Sequence, residues 1–308
     1  MPIFAPKVSL MYRTTKTMVM IAFLMGIIAD AAAQINVSTY KNEIVEWHKK
    51  RLESLKSATG WVNLSGLFWL KEGENKFGSA TGNELLFKEK DFPAVLGSFL
   101  LKGNEVVWTT AGDHAVYAGQ EKIKTATIFS GEEINATQLA FQTFRWSVIK
   151  REDLIGIRFR DLASPLLDKL QHIERDTINQ DWRINARIEQ SVLPSVSILN
   201  VLGQTTQEKS AGKVVFEYKG KSYSLDVVDE GTTNLFVLFG DDTNAKETYP
   251  TGRFLYIPRP DANGNTVIDF NKAFNPPCAF TPFATCPIPP RQNILPFAIK
   301  AGERKIHL

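Results

Sequence analysis

Residues Trp61 to Thr109 read WVNLSGLFWLKEGENKFGSATGNELLFKEKDFPAVLGSFLLKGNEVVWT, and their rhythm decides the fold class. Short apolar or alternating runs are interrupted by Glu72-Gly73-Glu74-Asn75, Thr81-Gly82-Asn83 and Lys102-Gly103-Asn104. These turn-forming clusters place strands at Trp61 to Leu64, Gly66 to Leu70, Glu84 to Phe87, Ser98 to Leu101 and Glu105 to Thr109. No helical period separates them, so the crossover helices that a parallel sheet requires are missing. The pattern runs on through Ala115 to Ala118 and Ile123 to Phe129. The reading is a mainly β protein built from antiparallel sandwich or barrel modules.

Towards the C-terminus the same style continues with longer strands. Phe141 to Ile149 and Leu154 to Arg160 flank a charged turn, and Ser164-Pro165 opens a short helical or irregular break. Strands then follow at Trp182 to Glu189, Val196 to Leu202, Lys213 to Tyr218, Ser222 to Val228 and Leu235 to Phe239, with a tight hairpin at Gly220-Lys221. Arg253 to Ile257 and Thr266 to Asn271 flank the turn signal Pro260-Asp261-Ala262-Asn263-Gly264-Asn265. On this reading residues 59 to 130 form an N-terminal β-sandwich module and residues 131 to 308 a C-terminal β module. No Pro/Ser-rich linker separates them, so the two share an interface.

Towards the N-terminus, Tyr40, Ile44, Trp47, Leu52 and Leu55 recur at helical spacing between Lys, Glu and Arg, and Gly60 ends the pattern. Residues 34 to 58 therefore hold one amphipathic helix docked by its aromatic face, with His48 expected among solvated charges. Before it, Lys7, Arg13 and Lys16 precede the apolar run Met18 to Ile28, which ends in Ala31-Ala32-Ala33. A basic region, a short apolar region and small residues at a cleavage point describe a secretory signal peptide over residues 1 to 33, cut after Ala33. The expected location is periplasmic or secreted, with no membrane span once the leader is removed.

Composition excludes several function classes. At 308 residues and 44% apolar the chain is an ordinary globular protein that needs no metal to fold. Losing Lys7, Arg13, Lys16 and Asp30 with the leader brings the formal charge of +3 close to neutrality. No basic block with interleaved aromatics is present, so nucleic acid is not an expected partner. There is no G-x-S-x-G elbow, H-E-x-x-H, P-loop or G-x-G-x-x-G, and no motif implies a cofactor. His48, His114, His172 and His307 are scattered, and the Asp261-x-Asn263-x-Asn265 run lacks the glycine and the final acid of a calcium loop.

After Asn271 regular structure gives way to a long loop, residues 271 to 303, rich in proline: nine of the fifteen prolines fall between Pro258 and Pro296. Cys278 and Cys286 are the only cysteines. Behind a secretory leader they read as a disulfide that holds the loop in one shape, the rival being a reactive thiol or a metal pair. Around the loop stand Asp241, Thr243, Tyr249, Arg253, Asp269, Asn271, Asn275 and Asn293, the candidate ligand-binding set. Arg253 and Asp269 are expected to face each other across the Pro260 to Asn265 turn. The same residues allow two readings, a salt-bridged loop or a polar pocket for a hydroxylated or anionic ligand.

These residues also carry a resemblance. GRFLYIP (252 to 258), VIDFNKAFNPPCAFTPFATCPIPPRQNILPFAIKAGE (267 to 303), DDTNAKETY (241 to 249) and GWVNLSGLFWLKEGENKFGSA (60 to 80) resemble the family called domain of unknown function 1684, over nearly the whole chain after the leader. The family comprises bacterial and archaeal proteins without an established activity. The resemblance therefore implies motif positions, at Asp241, Thr243, Tyr249, Gly252, Arg253, Asp269, Asn271, Asn275, Cys278, Cys286, Asn293 and Glu303, and no reaction. Leu70 to Phe87 is more weakly similar to the opening of a forkhead-associated β-sandwich. It departs from the phosphothreonine-reading pattern at Ser79, where an arginine is expected, and no S-x-x-H follows.

The expected function is binding of a carbohydrate or other polar small molecule beside the C-terminal loop. The alternatives are a hydrolase using Asp241 and Asp269 as paired carboxylates, and a structural or protein-interaction module. Sequence leaves the oligomeric state and the question of enzymatic activity open.

Overall fold

The computed structural model describes residues 37–89, 91–131 and 137–306. The leader, its cleavage point and His307 lie outside them. The first described element is the helix α1 (37–56). It is followed by β1 (Leu64–Trp69), β2 (Gly73–Gly78), β3 (Leu85–Leu86), β4 (Gly97–Lys102), β5 (Glu105–Thr110), β6 (Tyr117–Ala118), β7 (Glu121–Lys122) and β8 (Thr125–Phe129). Next come β9 (Leu139–Phe141), β10 (Phe144–Arg151), β11 (Leu154–Asp161) and the one-turn helix α2 (Leu166–Lys169). The chain continues through β12 (Arg183–Glu189), β13 (Ser195–Leu199), β14 (Thr205–Tyr218), β15 (Lys221–Val228), β16 (Asn234–Phe239), β17 (Arg253–Pro258) and β18 (Asn265–Asp269).

The N-terminal module is two sheets on one core. One runs β3-β2-β4-β5-β8 and the other β1-β11-β10-β9-β6-β7. Alternation builds the inner face: Phe99 and Leu101 on β4 and Val106 and Trp108 on β5 are buried, as period-2 side-chain geometry requires. They meet Trp146, Ile157 and Phe159 of the facing sheet in a single cluster centred on Phe77. Pairing is antiparallel except for β3, shorter than its sequence suggests, which runs parallel to β2. Strands β9 to β11, which sequence reading assigns to the second module, join the sheet of β1, which β11 pairs directly, and share this core. The change of sheet comes after Asp161.

The C-terminal module is one sheet, β17-β16-β15-β14-β12-β18, with β13 paired to β14. Its end strands approach each other, so the sheet curls into a nearly closed barrel. Phe216, Phe239, Leu255, Ile268 and Phe270 fill it. The β14–β15 hairpin turns on Lys219 and Gly220, whose φ values of 49° and 73° are those of the turn that matches strand twist. A turn does form at Asp261 to Asn265, but β17 and β18 do not pair across it: β17 bonds to β16 and β18 to β12. Arg253 and Asp269 therefore do not face each other as expected.

Helix α1 meets this barrel through Tyr40 and His48, Ile44 is buried on the same face, and Leu55 packs further along with Val62, Leu170 and Phe280. Trp47 packs on the cluster that holds Phe254 and Phe274. Among the described residues no helix is long and apolar enough to cross a membrane.

Candidate functional site

Arg253 is fully buried at the start of β17, following Gly252. Gly252 has φ of 108°, and an added Cβ would stand 2.5 Å from the Phe239 carbonyl, so only glycine fits there. The Arg253 guanidinium donates from Nη2 to Asp241 Oδ2 at 2.9 Å and to the Ile299 carbonyl at 2.9 Å. Nη1 donates to the carbonyls of Ala301 and Glu303. Asp241 is equally occupied: Oδ1 accepts from Thr243 N at 2.8 Å, Thr243 Oγ1 at 2.6 Å and Ile299 N at 3.2 Å. Asp241, Thr243 and Arg253 thus form one network that ties the C-terminal tail to the barrel. Tyr249 contributes its carbonyl, which accepts from Asn244 at 3.0 Å, and burial raises the pKa of its half-buried phenol.

Asp269 and Asn271 form a second network, which docks α1. Tyr40 Oη donates to Asp269 at 2.9 Å and accepts from Asn271 Nδ2 at 2.8 Å. Asn271 also bonds the Asn179 backbone through both amide atoms, and Arg183 approaches Asp269 at 3.5 Å. His48, expected in solvent, is only 7% exposed, and its Nε2 lies 3.0 Å from the Asn271 carbonyl. A carbonyl only accepts, so Nε2 carries the proton. Burial drives the imidazole pKa down to about 4, and Arg175 and Arg51 nearby act in the same direction.

The remaining residues of the set are structural in the same sense. The Asn275 backbone N–H donates to Glu303 Oε2 at 2.7 Å, and Arg51 binds Oε1 of the same buried carboxylate at 3.0 Å. Asn293 occupies a split in the barrel, where β15 and β16 pair only at Val228 and Phe236. Its amide donates to the Asp226 and Leu238 carbonyls and accepts from Asp226 N, as a strand backbone would. Cys278 and Cys286 form a disulfide. The loop it closes crosses to the N-terminal module, where Thr281 Oγ1 donates to the Leu64 carbonyl at 2.9 Å. Both carboxylates considered for hydrolysis are buried and used in separate networks, so neither stands free in a cleft.

Beside the disulfide lies a cleft of about 400 Å³ with walls from every part of the fold. Helix α1 contributes Arg51, the N-terminal module Trp61, Arg151 and Arg158, the barrel Phe236 and Tyr256, and the loop Phe274, Thr285 and Cys286. Arg51 is paired with Glu303 and lies over the Phe274 ring at 4.3 Å. Arg151 Nε donates to Thr285 Oγ1 at 3.4 Å.

Arg158 differs from both. Its guanidinium sits 5.0 Å over the Trp61 ring, its Nε is buried without a hydrogen-bond partner, and no carboxylate pairs with it among the described residues. Its neighbours across the sheet are Leu67 and Ser147, neither of them acidic. Burial, reinforced by the like charges of Arg151 and Arg160, lowers its pKa to about 10, still cationic at neutral pH. The larger depression of about 870 Å³ over β12, β14 and β18 is lined by exposed side chains of both signs and holds no such unpartnered buried group. No three of His, Cys, Asp and Glu come together as a metal-binding group among the described residues.

The C-terminal motifs identify the relatives. Residues 168–304 match the family described as Protein of unknown function (DUF1684). The match begins before β12 and covers the barrel, the disulfide loop and the anchored tail, so the resemblance read from those motifs holds. GWVNLSGLFWLKEGENKFGSA lies outside it, in the N-terminal sandwich. A solution NMR structure of an uncharacterized protein from gene locus rrnAC0354 of Haloarcula marismortui is 29% identical. That alignment covers 44% of this chain and 78% of that one, with a TM-score of 0.38. No curated protein matches the chain.

Sequence reasoning missed the cleft. The available signal was in β11, LIGIRFRD, where Arg158 and Arg160 alternate with Ile157 and Phe159 on a strand that has no acid before Asp161.

Proposed function

We propose that this is an exported protein that binds a small anionic ligand in the cleft beside the C-terminal loop. The observation that carries the reading is Arg158, a desolvated cation that no protein carboxylate neutralises. A buried donor left unmade costs about 1–3 kcal/mol, more when charged, and an incoming carboxylate or phosphate supplies the missing acceptor. Arg151 adds a second guanidinium within the same walls, and Trp61 fixes the Arg158 plane from below. The aromatic lining from Phe236, Tyr256 and Phe274 suits the apolar body of such a ligand. Export is supported by the leader pattern and by the disulfide, which persists in oxidising compartments.

The test is calorimetric titration of the full mature chain with hexanoate and, in parallel, with neutral hexanol. Binding of hexanoate that is lost in Arg158→Gln and partly kept in Arg158→Lys is the expected result. Equal binding of the alcohol, or hexanoate binding that ignores Arg158, would overturn the reading.

A further inference from the structure

The cleft carries an acid as well as its cations. Glu230 lines it from the barrel side, whereas Arg151 and Arg158 line it from the N-terminal module. Glu230 is exposed, and its one hydrogen bond among the described residues comes from Tyr256 Oη at 3.2 Å. It has no basic partner there. Partial desolvation against the wall, and the like charge of Glu208, raise the pKa of its carboxyl. A carboxylate in that position gains from a cation.

The wall around Glu230 is apolar and flat. Tyr256 stacks on Phe274 at 5.8 Å with the rings 19° apart, and Phe236 lies 5.1 Å from Tyr256. The cleft therefore presents unpaired positive charge on one module, unpaired negative charge on the other, and aromatic surface as well. We infer that its ligand is a small zwitterion with an apolar spacer between its charges, the anion held by Arg158 and Arg151 and an ammonium held by Glu230. This rests on the anion site proposed above and adds the second pole. Selectivity follows from electrostatics: a ligand with one charge leaves the opposite wall unpaired, and a neutral ligand leaves both.

The experiment is calorimetry on the full mature chain with ω-aminohexanoate, hexanoate and hexylamine, which share one backbone and differ only in their poles. The amino acid is expected to bind about tenfold more tightly than hexanoate, which corresponds to about 1.4 kcal/mol. Glu230→Gln should abolish that gain and bring the two acids to the same affinity. Because Glu230 is exposed, the variant is expected to fold, and its circular dichroism and melting temperature check this. Hexanoate binding as tightly as the amino acid, or a gain that survives Glu230→Gln, overturns the zwitterion inference and leaves the anion site standing. Failure of both acids to bind, or binding independent of Arg158, removes the anion site and the zwitterion inference with it.

Discussion

Arg253 and Asp241 meet at 2.9 Å with neither side chain exposed to solvent, and the same guanidinium holds the carbonyls of Ile299, Ala301 and Glu303. The pair joins the barrel to the last residues that close it. Ile299 and Ala301 are themselves core residues, and Gly302 turns the chain at φ of 79° where a Cβ would meet the Ala273 carbonyl at 2.5 Å.

Removing either partner leaves the other charge buried and alone. Arg253→Ala and Asp241→Ala are each expected to lower stability by about 3–5 kcal/mol in denaturant titration. Hydrogen exchange of residues 299 to 304 should rise in the arginine variant well before global unfolding. Unchanged exchange there would mean that the tail is held by its apolar contacts alone.

The disulfide closes a short loop, so its reduction is expected to cost about 2–3 kcal/mol on the chain-entropy account. Because Cys286 also lines the cleft, reduced protein or Cys278→Ser/Cys286→Ser should bind hexanoate more weakly while the barrel stays folded. Intact mass before and after reduction and alkylation checks the bond, and two free thiols in native protein would refute it.

His48 makes stability depend on pH. Its folded pKa of about 4 lies below the ordinary histidine value, so the unfolded chain binds the proton more readily. The neutral imidazole's contribution is therefore complete above about pH 6.5 and lost as pH falls towards 4, up to roughly 3 kcal/mol. Denaturant midpoints between pH 7 and pH 4 should fall less steeply in His48→Gln than in the parent protein.

Export predicts a new N-terminus. Edman or mass analysis of protein recovered from the host's extracytoplasmic fraction should begin at Gln34. A product retained in the cytoplasm that begins at Met1 or Met11 would contradict the leader reading.

Much of the fold was legible because period-2 burial leaves its mark in each strand: Phe99 and Leu101, Val106 and Trp108 announce their inner faces directly. The tight turn at Gly220 was legible from its glycine, but its bounds fall one residue earlier than expected: Lys219 and Gly220 make it and Lys221 opens β15. His48 was readable in principle, since Tyr40, Ile44 and His48 stand one turn apart on the helix face that docks. Strand partners were less legible. The Pro260 to Asn265 turn forms as its residues dictate, yet β18 bonds to β12, with Arg183 opposite Asp269, because turn chemistry does not specify which edges a barrel joins.

Sequence by itself determined the mainly β class, the amphipathic helix, the cysteine pair and the polar set around a proline-rich loop, since each depends on local spacing or composition. Only the tertiary structure decided what that polar set does. Asp241, Arg253, Asp269, Asn271, Asn275 and Asn293 make their hydrogen bonds inside the fold, and although Arg253 Nε and Asn275 Oδ1 lack a partner, both residues are sealed in the interior, out of a ligand's reach. Arg158, ordinary in sequence, became the candidate because packing brought aromatic rings and other cations to it, and among the described residues no carboxylate within ion-pair distance. Whether a charge is paired depends on long-range proximity, and that is a property of the folded chain.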